Sequence, residues 1–488
     1  MYKGVLFIWA AVLISCSSEK NREIEIFNAA CESCSSFSVD GKSSFREGVF
    51  YMENSIDTLG YATLNIEGDW DLSLYNQITL ELVNPNKTEN LSTVLTVDGG
   101  DSLRSGGSLV SARALYANEN VTWVVKVPPV LPYPELADDL IGMRGTPYTI
   151  HGVNSSLRSL KVRRLSIKLE KAVAGISLGI RRITISKSDK EALPPWTKLK
   201  KDELFPLIDR YGQFIHKEWP GKTSSDEDLI AAREKEEAEL AKLTGSADWC
   251  QFGGYKAGEQ YTATGAFYVK KINGKWWMID PDGHLFWSHG LVRVGPSGAI
   301  TSLGNRKYLF SDLPDPQSSF GEFYKTRDES LYPYFQARGM NETFDFSAAN
   351  LKRKYGENWR TAFADIVHRR LRSWGMNTIS ATSDKMIYLQ NRTPYCDRLD
   401  PASPVIDGIP EGLARMRDPF HADFVNKLKE LLLSRKDELS SSWCVGYWVD
   451  NKISWGNGTD LARWVLKSSG TQPSKITLLS ILKKKYNK

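Results

Sequence analysis

The chain has 488 residues, a formal net charge of +5 and the composition of ordinary globular protein, which suits two or three domains and excludes a disordered or fibrous chain. The positive charge is spread along the sequence apart from Lys483-Lys484-Lys485, no basic stripe alternates with aromatics, and nothing argues for a nucleic-acid partner. The 15 Trp and 20 Tyr are the one compositional excess, and large flat rings suit stacking on sugars as well as filling cores.

Residues 1–16 start with a single cation, Lys3, continue through an apolar run and finish Leu13-Ile14-Ser15-Cys16. The run is too short to span a bilayer and reads as an export signal. A small residue before Cys, with apolar residues ahead of it, is the pattern of bacterial lipoprotein processing, which acylates Cys16 and anchors the protein to a membrane leaflet; the alternative is an uncleaved or ordinarily cleaved signal. Cys31 and Cys34 form a C-x-x-C with no second pair or nearby His, which is too little for a zinc site and suits a local disulfide or free thiols.

From 17 to 190 the pattern is β-structure. Ile78, Leu80 and Leu82 alternate with Thr79 and Glu81; Val162, Leu165 and Ile167 recur; Ile176, Leu178 and Ile180 lead on to Ile183 and Ile185. Short strands at this spacing, broken by Gly, Asn and Asp, predict a β-sandwich of the jelly-roll, carbohydrate-binding-like kind, although many purely structural modules share the pattern.

A polar stretch at 187–195, ending in Pro195, is the expected domain boundary, and 191–270 reads as linker and connector. Within it Ser225, followed by Asp226, Glu227 and Asp228, starts a helix that Gly245 closes and that reads as solvated. From 271 to 488 strands alternate with helices, the sign of βα units and a parallel sheet. A strand at 275–279 meets a type I turn at Asp280-Pro281-Asp282-Gly283 and returns as an apolar strand at 284–291. Helices at 359–374 and 421–435 feed strands at 376–381 and 443–450, a fainter strand is expected at 394–398, and residues 453–488 read as one more helix with no further strand.

Two stretches are the most specific: Gly274-Lys275-Trp276-Trp277-Met278-Ile279-Asp280-Pro281-Asp282-Gly283-His284-Leu285-Phe286-Trp287-Ser288-His289-Gly290, and Gly446-Tyr447-Trp448-Val449-Asp450-Asn451-Lys452-Ile453-Ser454-Trp455-Gly456. Together they resemble the family-50 glycoside hydrolases, the β-agarases. Asp209-Arg210-Tyr211-Gly212-Gln213, Trp219-Pro220-Gly221-Lys222, Phe346-Ser347-Ala348-Ala349-Asn350-Leu351, Arg353-Lys354-Tyr355-Gly356 and Trp374-Gly375-Met376-Asn377-Thr378 support the resemblance in the same order.

The resemblance implies a carbohydrate-binding-like β-domain followed by a (β/α)8 TIM barrel that cleaves agarose or a related galactan with retention. Retention needs two carboxyl groups about 5 Å apart, one acting as acid then base and the other attacking the anomeric carbon. The first follows an asparagine at the end of the fourth strand, which puts Asn451 in the asparagine position and Lys452 where glutamate is expected. An ammonium with an ordinary pKa of about 10.4 sets positive charge beside an oxocarbenium-like transition state and is a poor proton donor there. Four βα units make an incomplete barrel, so strands five to eight and the nucleophile are expected outside this chain, and a second polypeptide completing the barrel is one expected partner. Both departures point to a catalytically dead form; the alternative is a non-catalytic, surface-anchored carbohydrate-binding lipoprotein.

Asn451, Trp455, His289, Trp287 and Asn377 are expected near strand C-termini, where they can line a sugar subsite. Core packing is an equal reading for Trp287, and a satisfied buried histidine for His289. Asp450 is expected to orient its neighbours. The six His show no metal-binding spacing, and Gly-rich phosphate loops and G-x-S-x-G are absent, so no metal or cofactor is expected.

Overall fold

A computed structural model describes residues 23–30, 37–54, 61–99, 107–128, 152–155, 157, 159–170, 175–187, 195–326, 342–411, 413–456 and 458–486. Cys16, Cys31 and Cys34 lie outside them. The chain divides into two compact units, the first reaching Lys198 and the second starting at Leu199.

The first unit holds twelve strands among the described residues: β1 (Glu23–Asn28), β2 (Phe37–Asp40), β3 (Lys42–Arg46), β4 (Val49–Glu53), β5 (Thr63–Asp71), β6 (Gln77–Val83), β7 (Leu91–Gly99), β8 (Ser108–Leu115), β9 (Asn120–Lys126), β10 (Val153–Ser155), β11 (Lys161–Leu169) and β12 (Ser177–Ser186). They form two antiparallel sheets. One runs β3-β4-β12-β6-β9, with β1 beside the second half of β12, and the other runs β10-β8-β7-β11-β5-β2. Leu80, Leu82 and Ile183 of the first sheet and Leu95, Leu165 and Ile167 of the second share one apolar core, all at 0–1% exposure. Each such side chain contributes roughly 1.5–3 kcal/mol by leaving water.

The alternation in the sequence slips phase twice, and the structure gives the reason. Val162 and Leu165 are both buried although three residues apart, because β11 carries a β-bulge between Val162 and Arg164. Ile180 and Ile183 keep the same face across a second bulge, between Ile180 and Arg182 of β12. One extra residue restores the inward phase that a strict period of two would lose.

The second unit begins with a scaffold. Helix α1 (Asp226–Leu240) is closed at its start by a capping box, with Ser225 Oγ accepting from the Asp228 amide. It is not the solvated connector its composition suggests. Glu236 accepts from Arg370 and Lys354, and Glu237 pairs with Arg369 at 2.7 Å, which clamps α1 onto α2 (Phe346–Tyr355) and α3 (Trp359–Ser373). Burial pushes the Glu236 carboxyl up, but Arg370 and Lys354 outweigh it and hold it below the usual range. Even spacing of Glu and Lys along a helix cannot distinguish water from a cationic neighbour as the partner.

The motifs at 209–213 and 346–356 meet in the same scaffold. The Asp209 carboxylate accepts from the amides of Tyr211 and Gln213, Asn350 Nδ2 donates to the Tyr211 carbonyl at 2.9 Å, and the Arg353 guanidinium lies over the Tyr211 ring. Gly212, at φ +80°, lets Phe346 pack against the turn, since a Cβ there would lie 2.8 Å from its ring.

β13 (Tyr268–Ile272), β14 (Lys275–Ile279) and β15 (Leu285–Phe286) form an antiparallel sheet, with the Asp280–Gly283 turn between β14 and β15. β16 (Gly290–Val292) follows. Strands β17 (Ile300–Ser302), β18 (Tyr324–Thr326) and β19 (Glu342–Asp345) make a small sheet that leads into α2, capped by Asp345. β20 (Thr378–Ser380), β21 (Tyr395–Leu399) and β22 (Cys444–Val449) then join β16 in a parallel sheet, in the order β16-β20-β21-β22. The expected strand at 284–291 is therefore two strands: β15 pairs back onto β14, and only Gly290–Val292 enters the parallel sheet. Gly290 allows that entry, because a Cβ would sit 1.7 Å from the Thr378 carbonyl oxygen.

Two helices, not the one expected, follow β22 among the described residues. They are α4 (Asp460–Lys467), which buries Trp464 and Val465, and α5 (Pro473–Tyr486). The first is a single amphipathic stretch of eight residues, too short to stand out from a loop by its pattern alone.

Candidate functional site

Because β16, β20, β21 and β22 are parallel, their C-terminal ends share one edge of the sheet. Loops at that edge are where such sheets place chemistry. The structure divides the six expected side chains and Lys452 between the two opposite edges.

Asp450, Asn451, Lys452 and Trp455 follow β22 and belong to the C-terminal edge. Asp450 and Lys452 both adopt left-handed backbone conformations, at φ 61° and 55°. Asn451, Lys452 and Trp455 are exposed and Asp450 is half-buried. The Asp450 amide donates to the Leu399 carbonyl at 3.1 Å, which ties the loop to the end of β21. Burial raises the Asp450 carboxyl above its ordinary range, against the pull of Arg417, with Asp400 adding to the rise and Arg398 opposing it. Further along, the Ser454 amide donates to the Ala414 carbonyl and the Ala414 amide to Ser454 Oγ, so the segment bearing Trp455 is held by two hydrogen bonds.

Trp287, His289 and Asn377 precede their strands and lie at the N-terminal edge, which corrects the expectation that they sit near strand C-termini. The cause is the division at 284–291: a strand ending at 291 would have put His289 close to its end, whereas the strand that forms starts at 290. Trp287 is 75% exposed, which removes the core-packing reading, and His289 is exposed rather than a buried, satisfied histidine. Asn377 is 5% exposed, and its side-chain amide is engaged through both Oδ1 and Nδ2. Its Oδ1 accepts from the His289 amide at 2.9 Å, and its Nδ2 donates to the carbonyls of Gly253 and Trp287 at 3.0 Å each. It is a clamp that holds the entry to β16 against β20.

The sequence reading missed other members of the C-terminal edge. Arg293 follows β16 at φ 57° and Thr382 follows β20 at φ 64°; with Asp450 and Lys452 they are four of the eight non-glycine left-handed residues among the described ones, which marks this edge as the strained one. Such conformations cost about 1–3 kcal/mol each and gather at functional sites, and a β-branched threonine adopts them rarely. The Val294 amide donates to Ser383 Oγ and the Asp384 amide to the Val294 carbonyl, joining the loops after β16 and β20. Asp400, paired with Arg398 at 2.6 Å, follows β21. Trp448, near the end of β22, is 60% exposed and adds a second indole beside the loop that carries Trp455. Trp448 stood within the quoted motif and could have been chosen; the backbone strain has no signal in the sequence. Among the described residues no group of three His, Cys, Asp or Glu is placed to hold a metal ion.

The two-unit architecture is that of solved agarases. The crystal structure of an agarase, AgWH50C, is 20% identical with a TM-score of 0.58, covering 95% of this chain and 69% of that one; an exo-β-agarase is 20% identical with a TM-score of 0.57, covering 97% and 70%. No protein-family model matches the chain. In sequence it matches β-agarase B of Vibrio sp. (strain JT0107), 29% identical over 319 residues, and β-agarase A of the same strain, 27% identical over 276 residues. These alignments cover 57% and 52% of this chain but only 32% and 27% of the two Vibrio proteins. The chain is similar in sequence to β-agarases and in fold to solved agarases.

Proposed function

We propose that this chain recognises an agarose-type galactan without hydrolysing it. The observation that carries the reading is Lys452, which occupies the position where the family resemblance expects the acid/base glutamate, in an exposed loop after the fourth strand of the parallel sheet. A retaining mechanism needs a neutral carboxylic acid to protonate the leaving oxygen and the same carboxylate to activate water afterwards. A lysine side chain offers no carboxyl group for either role and sets positive charge beside an oxocarbenium-like transition state. Trp448 and Trp455 supply exposed indole faces for sugar rings, and Asn451 supplies amide donors and an acceptor for hydroxyls.

The same reading takes the four parallel strands as the first four units of an eight-stranded barrel and the first unit as a carbohydrate-binding domain. It takes Cys16 as the acylated anchor of an exported lipoprotein, tested by labelled fatty acid incorporation that Cys16→Ser should abolish. A polypeptide supplying further strand–helix units is the partner that the two edge strands, β16 and β22, would accept.

The test is incubation of the purified chain with agarose and with neoagaro-oligosaccharides, alongside affinity electrophoresis in agarose. Retardation in the gel with no release of reducing ends is expected. Sustained release of reducing ends would overturn the proposal. A second reading has one observation in its favour: Asp450 is held toward its protonated form by burial and could donate the proton instead. Release of reducing ends that Asp450→Asn abolishes would establish that reading in place of the first.

A further inference from the structure

The N-terminal edge of the parallel sheet, opposite Lys452, contains a cavity of about 280 Å³. Residues 249–253, the end of α3, and the residues that lead into β20, β21 and β22 meet there. Its walls set the rings of Trp249, Phe252 and Trp443 among polar and basic side chains. Phe252 and Trp443 lie with ring centroids 4.6 Å apart, and the Arg372 guanidinium sits 5.9 Å from the Trp249 ring centre.

The electrostatics of the cavity leave one guanidinium over. Arg369 and Arg392 also line it, but Arg369 is bonded to both oxygens of Glu237 at 2.7 Å and to Asp365 at 2.9 Å, and Arg392 to Asp365 at 2.6 Å. Three arginines against those two carboxylates leave a net charge of +1. The uncompensated group is Arg372, which among the described residues has no carboxylate partner; its hydrogen bonds go to the carbonyls of Trp249 and Cys250 at 3.4–3.5 Å, the long limit for such bonds. His368 adds no charge at neutral pH, since burial lowers its pKa to about 4 and its Nδ1 is engaged with Thr393 Oγ1.

We propose that this cavity binds a single ring bearing one negative group, a sugar acid or a sulfated sugar unit, with Arg372 holding the anion and the indoles of Trp249 and Trp443 facing the ring. A guanidinium presents a planar fork that matches carboxylate and sulfate oxygens, and aromatic faces take the apolar face of a sugar. The volume lies just below the usual range of small-ligand pockets, roughly 300–1,000 Å³, which suits one ring and not a chain. The site is independent of the C-terminal edge and holds whether or not the chain acts on galactan.

Isothermal titration of the full chain with glucuronate, galactose 6-sulfate, neutral galactose and inorganic sulfate tests it. Binding of at least one charged sugar more tightly than galactose, and weaker binding of inorganic sulfate, are expected. Arg372→Gln should weaken the charged sugar by about ten- to a hundredfold, the worth of a charge-assisted hydrogen bond. If Arg372→Gln fails to fold, the affinity of the unmodified chain must still fall as salt is raised. Equal affinity for galactose, equal affinity for bare sulfate, no binding of either charged sugar, or indifference to both the substitution and salt each overturns the proposal.

Discussion

Asn377→Ala separates a clamp from a sugar contact. The side chain makes three main-chain hydrogen bonds, to the His289 amide and to the Gly253 and Trp287 carbonyls, and a longer one from Thr378 Oγ1 at 3.2 Å. Each net hydrogen bond is worth about 0.5–1.5 kcal/mol, and a buried carbonyl left unpaired costs about 1–3 kcal/mol. Trp287 and His289 are exposed, so water can replace the amide there, whereas Gly253 is buried and its carbonyl loses its partner. The loss should therefore fall at about 2–4 kcal/mol for the second unit, a drop in its melting temperature of roughly 4–16 °C at 2–4 °C per kcal/mol. Calorimetry of the full chain measures it, with Leu95→Ala in the sandwich core as the marker that identifies the other unit's transition. An unchanged melting temperature together with weakened galactan binding would refute the clamp and return Asn377 to the role the sequence suggested.

Gly290→Ala should be more damaging, because the new methyl meets backbone at 1.7 Å and the strands β16 and β20 must part; a loss of about 3 kcal/mol or more is expected in the same calorimetric assay. His368 gives a pH dependence with a definite sign. Its folded-state pKa of about 4 lies below the ordinary 6.5, so the second unit is at full stability above pH 6.5 and loses about 3 kcal/mol as pH falls toward 4; His368→Gln should flatten that part of the profile in urea titrations at each pH. Lys452→Glu should restore no hydrolysis of neoagaro-oligosaccharides, since one carboxyl group fills only one of the two roles that retention requires; reducing-end release by that variant would show that the second role is already filled.

The residues made much of the fold legible. Alternation at 78–82 marked a strand, the apolar positions at 162–165 and 180–183 fell into phase only once the bulges were seen, and three of the four parallel strands lie within a residue or two of where runs between helices placed them. The fourth failed at β16 for a physical reason. A run such as 284–291 is equally apolar whether it pairs antiparallel with a hairpin neighbour or parallel with a strand 88 residues away, and only packing decides where one partner is exchanged for the other.

The sequence by itself determined the chemistry at each position: a lysine at 452, an asparagine before it, indoles on either side, and a kinship with β-agarases carried by ordered motifs. Tertiary structure alone decided the edge on which each side chain stands. It put Asp450, Asn451, Lys452 and Trp455 at one end of the sheet and Trp287, His289 and Asn377 at the other, and it assembled the Arg372 cavity from segments far apart in the chain. The reason is that a strand's local pattern records which face is buried but not where the strand begins, and a shift of a few residues moves a side chain from one end of a short strand to the other.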